Sequence, residues 1–402
     1  MPTKTTSTKM HLIETYALNC GLKIDKPYIY EKFFPLDIEK FITIHPNSKF
    51  SSKCYDYWQD VVDLLLPELE KQGIKILQIG VAEDTPLKGC LHGHGKTSIN
   101  QTAYILSKSI LHLGADSFPA HVASGYNKKI VCLYSNNYAA NCRPYWTDEK
   151  DCVLIEPDRK GKKPSFSADE NPKTINTINP EDIAGSVFGL LDIKKNKNFK
   201  TVRKGMAYNH AIVELVPNCV ADIGSIGIES IIVRMDLEFS EEVLAAQLSR
   251  GKCSIITDRP INLKMLKQLK QNVKELVYIV DRDNDPKFIE NIFSFGFPVI
   301  LMTELSDKEV EPLKINYMDF GIIQKVPIPE DSDVEELKAK GVENLYYKSK
   351  RILISNSKSY KGEAAWRSDT PSDANQNQPL KIIDSSDFWD SLEEFYILEK
   401  TD

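Results

Sequence analysis

The chain has 402 residues, enough for two domains each with its own core, and with 42% apolar and 27% charged residues it is no extended disordered polymer. Its net charge of −6 gives no general attraction to nucleic acid and leaves only local basic patches for that work. The sequence has no run of roughly eighteen apolar residues and no apolar stretch after MPTKTTSTKM, so neither a membrane span nor a secretory signal is expected; the expected location is cytoplasmic.

Residues 1–9 read as a Thr/Lys-rich tail. Leu12, Ile13, Tyr16, Ala17 and Cys20 then have helical spacing, closed by Gly21. FITIHP predicts a strand, DYWQDVVDLLLPELEKQG an amphipathic helix ending at Gly73, and IKILQIG a buried strand, so strands and helices alternate as in a parallel sheet. From Gly95 to Trp146 the pattern is helix, strand, helix, strand. Ser98 with Gln101 is a capping box at the start of the first helix. LHLGAD is a short strand that breaks at Asp116 and Ser117, both good N-caps, and the helix they open stops at Gly125 before the buried run IVCLY. Asp116, Ser117 and His121 therefore belong at a strand end or on a helix's first turns, where ligands of parallel sheets bind and where free N–H groups attract phosphate.

RKGKKPSFSADENPKTINTINPED reads as a polar surface loop before a last helix, IAGSVFGLLDI. Residues 194–205, KKNKNFKTVRKG, read as a charged linker, either solvated or a phosphate-binding strip, which sets domains at 1–195 and 205–402. A second alternating set follows: HAIVELVPN, ESIIVRMDL, the helix SEEVLAAQLSRG, CSIIT, the helix NLKMLKQLKQN, ELVYIVD, the helix DPKFIENIFSFG and PVILMT. RILIS lies in a further candidate strand, and SSDFWDSLEEFYILEK reads as a capped C-terminal helix.

Eight scattered cysteines with no CxxC pair suit reduced thiols rather than a disulfide frame or a zinc site. His92 and His94 lack further evident ligands. The run Asp281, Asp283, Asp285 fails the calcium-loop pattern because Pro286 replaces the turn glycine and position twelve is Ile292; Asp285-Pro286 reads as an N-cap and first helical residue. No metal site is assigned.

The pattern GKTS before a helix, then GADSFPAHVA before a strand, resembles the donor-binding half of the heptosyltransferase-like glycosyltransferases of family 9, a two-domain GT-B fold. The resemblance extends back to FITIHPNSKFSSKCYDYW, where Lys53 matches a lysine of the family just before a helix, and covers residues 10–190. It implies that Lys53 contacts the donor's diphosphate or sugar, that Ser117 with neighbouring N–H groups holds phosphate, that Asp116 meets the sugar and that His121 lines the same helix. Thr97 and Ser98 open another helix and are candidates for phosphate contact or for capping alone. Where the family has glycine this chain has Phe118.

The family places its acceptor domain first, whereas here the donor-like half comes first. The expected fold is therefore α/β, two Rossmann-like domains facing a cleft in a circularly permuted GT-B-like order, with the second domain acceptor-binding. The family's base has no counterpart here, so the base is expected from the second domain. Asp222 in VADIGSIG is the first choice and Glu229 the second, against the plain reading of turn carboxylates; VADIGSIG is also similar to the glycine loop of methyltransferases.

The function expected is transfer of a sugar from a nucleotide-diphosphate sugar to a hydroxyl acceptor without a metal ion or other cofactor. The acceptor is a lipopolysaccharide core, another glycan or a modified DNA base. Two other readings stand beside it: a non-catalytic nucleotide-sugar-binding protein, and a metal-dependent GT-A-like transferase using the Asp281/Asp283/Asp285 run.

Overall fold

The computed structural model describes residues 10–194, 199–222, 231–281, 285–303, 305–317, 322–324, 331–374 and 378–401. Glu229 and Asp283 lie outside the described residues. The chain divides into two compact units, Met1–Lys197 and Asn198–Asp402, and each is an α/β structure built on a largely parallel sheet.

In the first unit, α1 (Leu12–Cys20) starts at His11, whose Nδ1 accepts from the Ile13 N–H, and stops at Gly21 in the left-handed region, φ 65°. The sheet is formed by β1 (Phe41–His45), β2 (Lys75–Gln78), β3 (Leu91–His92), β4 (Leu111–Ala115), β5 (Lys129–Leu133) and β6 (Cys152–Ile155). Its strand order is β3-β2-β1-β4-β5-β6, parallel throughout. The helices are α2 (Trp58–Lys71), α3 (Ile99–Lys108), α4 (Phe118–Gly125), the short α5 (Ala139–Cys142) and α6 (Pro180–Leu190). Phe41, Leu77, Ile79, Ile130 and Cys132 on one sheet face pack against Ile105 and Leu106 of α3 and Ala120 and Ala123 of α4. Continuous apolar runs such as IVCL are thus strands covered by helices, as parallel sheets require.

This strand order has one point of reversal. From β1 the chain steps to β2 and β3 on one side, and β4 leads to β5 and β6 on the other. Loops leaving the carboxyl ends of β1 and β4 diverge there and leave a crevice, the usual ligand position of an open parallel sheet.

In the second unit, β8 (Ile212–Leu215), β9 (Ile231–Arg234), β10 (Cys253–Thr257), β11 (Val273–Ile279), β12 (Val299–Thr303) and β13 (Ile322–Gln324) lie side by side in parallel. Helices Glu241–Arg250, Leu263–Leu269, Pro286–Phe293 and Asp307–Asn316 connect them as the sequence pattern implies. Across β8, this sheet is extended by β15 (Arg351–Ser355) and β16 (Lys358–Tyr360), in the order β13-β12-β11-β10-β9-β8-β15-β16.

Two sequence expectations are corrected here. Residues 199–204, read as part of a linker, are β7 (Phe199–Lys204), and the second unit begins before them. The C-terminal segment is helical over Ser386–Asp390 and, as one 3-10 turn, over Leu392–Glu394; Phe395–Lys400 is β18, which pairs with β7. With β14 (Leu345–Ser349) and β17 (Leu380–Lys381) they form a separate sheet, β17-β14-β18-β7, around Tyr347, Phe388 and Phe395. Both misreadings have one cause. β7 and β18 are strands through the antiparallel ladder they form with each other, Phe199 opposite Lys400 and Lys204 opposite Tyr396, a pairing distant in sequence that local periodicity does not record.

Candidate functional site

The first unit's reversal point gathers the polar residues of two loops. His45 is the last residue of β1, and the single 3-10 turn Ser51–Lys53 that follows delivers Lys53. Ala115 is the last residue of β4, and Asp116 and Ser117 follow it as the chain turns into α4. The Lys53 ammonium lies 2.6 Å from Asp116 Oδ2 and 3.4 Å from the Asp116 carbonyl oxygen. His121 Nε2 is 3.5 Å from Asp116 Oδ1, and Cys142 Sγ is 3.5 Å from Oδ2. Ser117 Oγ lies 3.1 Å from His45 Nδ1 and donates to the Ala115 carbonyl oxygen.

Burial grades across this group. The Asp116 side chain is 8% exposed, Lys53 18% and His121 40%, so the carboxylate is sunk beneath a cation and a half-exposed imidazole. Burial alone pushes the Asp116 carboxyl up, but the His121 hydrogen bond and the Lys53 charge and hydrogen bond outweigh it and hold the group below its ordinary value. The Cys142 thiol is pushed up to about 12, first by burial and then by the Asp116 charge, so it stays protonated and can donate to that carboxylate.

His45 is held below its ordinary value by burial, with the Asp84 charge acting in the opposite direction. Asp84 is fixed by donors from Asn47 Nδ2, 2.9 Å from Oδ1, and from the Val81 N–H, 2.9 Å from Oδ2. It folds back over Gly80, where a Cβ would come within 1.9 Å of Asp84 Oδ2, so only glycine leaves room for this turn. Behind β1, His112 is fully buried and its Nδ1 lies 3.0 Å from Thr43 Oγ1.

The residues singled out in the sequence separate into several groups. Lys53, Asp116 and His121 meet, with Ser117 joined to them through the chain and to His45 through its hydroxyl. Thr97 and Ser98 make local contacts at the start of α3: Thr97 Oγ1 lies 2.8 Å from Thr102 Oγ1, and Ser98 exchanges hydrogen bonds with Gln101 as a capping box. Asp222, in the second unit, is exposed and lines a cavity beside β8 and β15. Asp285 uses its carboxylate to accept from the Lys287 and Phe288 N–H groups, as an N-cap. The His92 and His94 rings meet edge to face at 5.3 Å, and among the described residues no three His, Cys, Asp or Glu side chains converge on a metal position.

Sequence reasoning missed His45 and Cys142. A signal for His45 existed: it ends an apolar strand immediately before Pro46. Cys142 had none, because only the tertiary fold brings it to Asp116, 26 residues earlier in the chain.

The N-terminus of α4 offers few N–H groups to an anion. Pro119 has none, and the Ala120 N–H is taken by the Ser117 carbonyl oxygen. The Phe118 ring, 49% exposed, stands at the first helical position. A negatively charged ligand here depends on Lys53 more than on the helix start.

Comparison with known proteins points to one family. Residues 18–171 match the model of glycosyltransferase family 9 (heptosyltransferase), a span that includes Lys53 and the stretch from Asp116 to His121. The chain is 22% identical over 169 residues to lipopolysaccharide heptosyltransferase 3 of Escherichia coli K12, covering 38% of this chain and 47% of that protein. The chain thus spans about half the length of that relative. Among solved structures, E. coli ADP-heptose lps heptosyltransferase II is similar at 15% identity and a TM-score of 0.31, over 44% of this chain and 50% of that one. The family 9 glycosyl transferase of Veillonella parvula DSM 2008 is similar at 18% identity and a TM-score of 0.31, with the same shares covered. The heptosyltransferase-like resemblance read from the sequence is borne out in the first unit. Among the described residues, no helix is long and apolar enough to cross a membrane.

Proposed function

We propose that this chain, whose first unit matches the family 9 model across its switch-point crevice, transfers a glycosyl group from a nucleotide-diphosphate sugar to a hydroxyl of a glycan. The observation that carries the reading is the Lys53–Asp116–His121 group: a cation, a buried carboxylate and a half-exposed imidazole in contact at the crevice. Lys53 takes up charge on the diphosphate, Asp116 and His121 bind sugar hydroxyls, and the Ser117 N–H meets a phosphate oxygen.

In the transfer, the acceptor oxygen bonds to the anomeric carbon as the bond from that carbon to the diphosphate oxygen breaks. The nucleoside diphosphate leaves with the electron pair, and a carboxylate takes the acceptor's proton. Asp222 of the second unit is that carboxylate in this reading, with Glu229 as the second candidate. Thr97 and Ser98 are retained as outer contacts to the donor through the start of α3. Lys53 and the neighbouring N–H groups supply the charge stabilisation, so the reaction is proposed to run without a metal ion.

The names of the relatives make a nucleotide-linked heptose and a lipopolysaccharide core the first donor and acceptor to try. The test is calorimetry with a panel of nucleotide-diphosphate sugars, followed by transfer assays with the donor that binds, with and without EDTA. Saturable binding of one donor and EDTA-resistant release of nucleoside diphosphate on adding acceptor are expected. Failure of every donor to bind the wild-type chain would overturn the reading. Binding with no turnover on any glycan would leave a nucleotide-sugar-binding protein.

A further inference from the structure

In α1 of the first unit, composition and burial disagree. At about 3.6 residues per turn, Leu12, Ile13 and Leu18 point in directions roughly 100–140° apart, so apolar side chains surround the helix, the pattern of one enclosed by protein. Yet none of its residues is buried. At nine residues it is also shorter than the roughly 12–15 that a helix needs to be stable by itself in water, so packing has to hold it.

One side of that packing is present. His11 Nε2 lies 2.9 Å from the Arg143 carbonyl oxygen, its ring meets that of Tyr145 at 4.9 Å, and the Tyr145 hydroxyl donates to Glu14 Oε1 at 3.2 Å. The chain after α1 is anchored in the same way. Ile29 and Phe34 pack against the core residues of α3 and α4, and the Lys32 N–H donates to the Asn100 carbonyl oxygen at 3.1 Å. Ile29 Cδ1 lies over Gly125, 2.5 Å from where a Cβ would stand. The arm from Met10 to Phe33 is therefore held in place by its inner side chains, and a partner need not first order it.

Its outer side chains are large and apolar. On the helix and its turn, Leu12, Tyr16, Leu18 and Leu22 are exposed, from 50% at Leu12 to 69% at Leu18. Beyond it, Tyr30, Phe33 and Tyr28 are 61%, 69% and 90% exposed. At roughly 200 Å² for a whole side chain of this size, the seven present about 900 Å² to solvent. The largest apolar patch of a monomer is roughly 300–600 Å², and one side of a standard interface is about 800 Å². The arm exceeds the first and reaches the second. A groove of about 570 Å³, lined by Leu18, Leu22, Ile24 and Tyr145 among others, lies within it.

Charge and composition select the occupant. From His11 to Phe33, Lys23, Lys26 and Lys32 balance Glu14, Asp25 and Glu31. An anionic bilayer is drawn to a basic surplus, which this surface lacks. The residues before the arm, MPTKTTSTK, are polar and do not match it. A neutral surface carrying both signs does not repel a copy of itself, and a two-fold interface is one patch meeting itself. The arm also holds both parts of such a contact, projecting leucine and tyrosine side chains and a groove of a size to receive them.

We propose that the arm Met10–Phe33 is the surface through which two copies of this chain pair as a two-fold dimer, with each α1 enclosed between its own unit and the partner copy. The inference stands on the first unit's arm and is independent of the transfer reading.

The test is sedimentation velocity on the full chain from sub-micromolar to tens of micromolar. The rate at which iodoacetamide alkylates Cys20, the exposed thiol at the end of α1, gives a local reading. At the upper concentration the 45.6 kDa chain should sediment at twice that mass, and Cys20 should react several-fold more slowly than at the lower. Leu18→Glu/Leu22→Glu, at exposed positions, should be monomeric with wild-type circular dichroism, and its Cys20 should react equally fast at both concentrations. Tyr28→Lys, outside the helix, should weaken the dimer at least tenfold without touching α1. Ile315→Glu, equally exposed but on a helix of the second unit, should leave the dimer intact. A wild-type chain that stays monomeric throughout would overturn the proposal, whether or not it cosediments with phosphatidylglycerol vesicles. So would a dimer that survives both arm variants, or one lost equally in Ile315→Glu.

Discussion

Lys53 and Asp116 come from loops on opposite sides of the first unit's reversal point, and their charged groups meet at 2.6 Å. The pair joins the carboxyl end of β1 to that of β4, so a contact essential to the proposed donor site also closes the sheet's crevice. Sequence alone leads one to expect that Lys53→Ala lowers donor affinity without unfolding the chain. With Asp116 only 8% exposed, the substitution also leaves a buried carboxylate short of its cation, at a cost of roughly 3 kcal/mol. Donor titration and thermal unfolding of Lys53→Ala should both report losses. The double variant Lys53→Ala/Asp116→Asn should recover stability but not donor binding. Donor affinity equal to wild type in either variant would remove Lys53 from the site.

Phe118 stands where the resembled family has glycine, and its ring is half-exposed beside Asp116 and Ser117. Phe118→Gly should open the approach to the Ser117 and Phe118 N–H groups and tighten nucleoside-diphosphate binding a few-fold by calorimetry. Weaker binding would show instead that the ring itself contacts the ligand.

His112 should make the chain acid-sensitive well above the carboxylate range. Burial, reinforced by the nearby His45, lowers its pKa from 6.5 to about 3. Between those values only the unfolded chain binds the proton, so stability rises with pH there. The contribution is complete above 6.5 and declines by about 1.4 kcal/mol per pH unit on going down toward 3. His45, also lowered by burial, acts in the same direction. His112→Leu should flatten the slope of denaturation free energy against pH between 6.5 and 4; an unchanged slope would show that His112 is not the group responsible.

In the second unit, Arg234 bonds Glu214 at 2.8 Å, Asp236 at 2.7 Å and Glu363 at 3.1 Å, and Glu214 is 2% exposed. Arg351, 3.5 Å from Glu214, is the other cation near that carboxylate among the described residues. Arg234→Met should therefore cost about 3–5 kcal/mol in chemical denaturation, from carboxylates left buried without their cation. The loss should shrink in Arg234→Met/Glu214→Gln, and a single variant as stable as wild type would contradict the accounting.

The sequence by itself determined the local elements and the chemistry of one loop. The Ser98–Gln101 capping box placed α3 at its observed start, because a cap is a contact between residues three apart and needs no tertiary partner, and helical spacing closed by Gly21 placed α1. Apolar runs located β1, β2, β4, β5 and most strands of the second sheet, since a strand covered on both faces has no polar positions to interrupt it. Asp116, Ser117 and His121 were legible for the same reason: they lie at a strand end and the helix that follows. Tertiary structure decided what depends on distant pairing. It put Lys53 on Asp116, 63 residues away, brought His45 to Ser117 and Cys142 to Asp116, and made strands of residues 199–204 and 395–400. It also formed the cavity between the loops after β8 and β15, whose lining residues are more than a hundred positions apart in the chain. Hydrophobic period records which side chains are buried, whereas strand order records what they are buried against, and only the second brings polar residues of separate loops to one crevice.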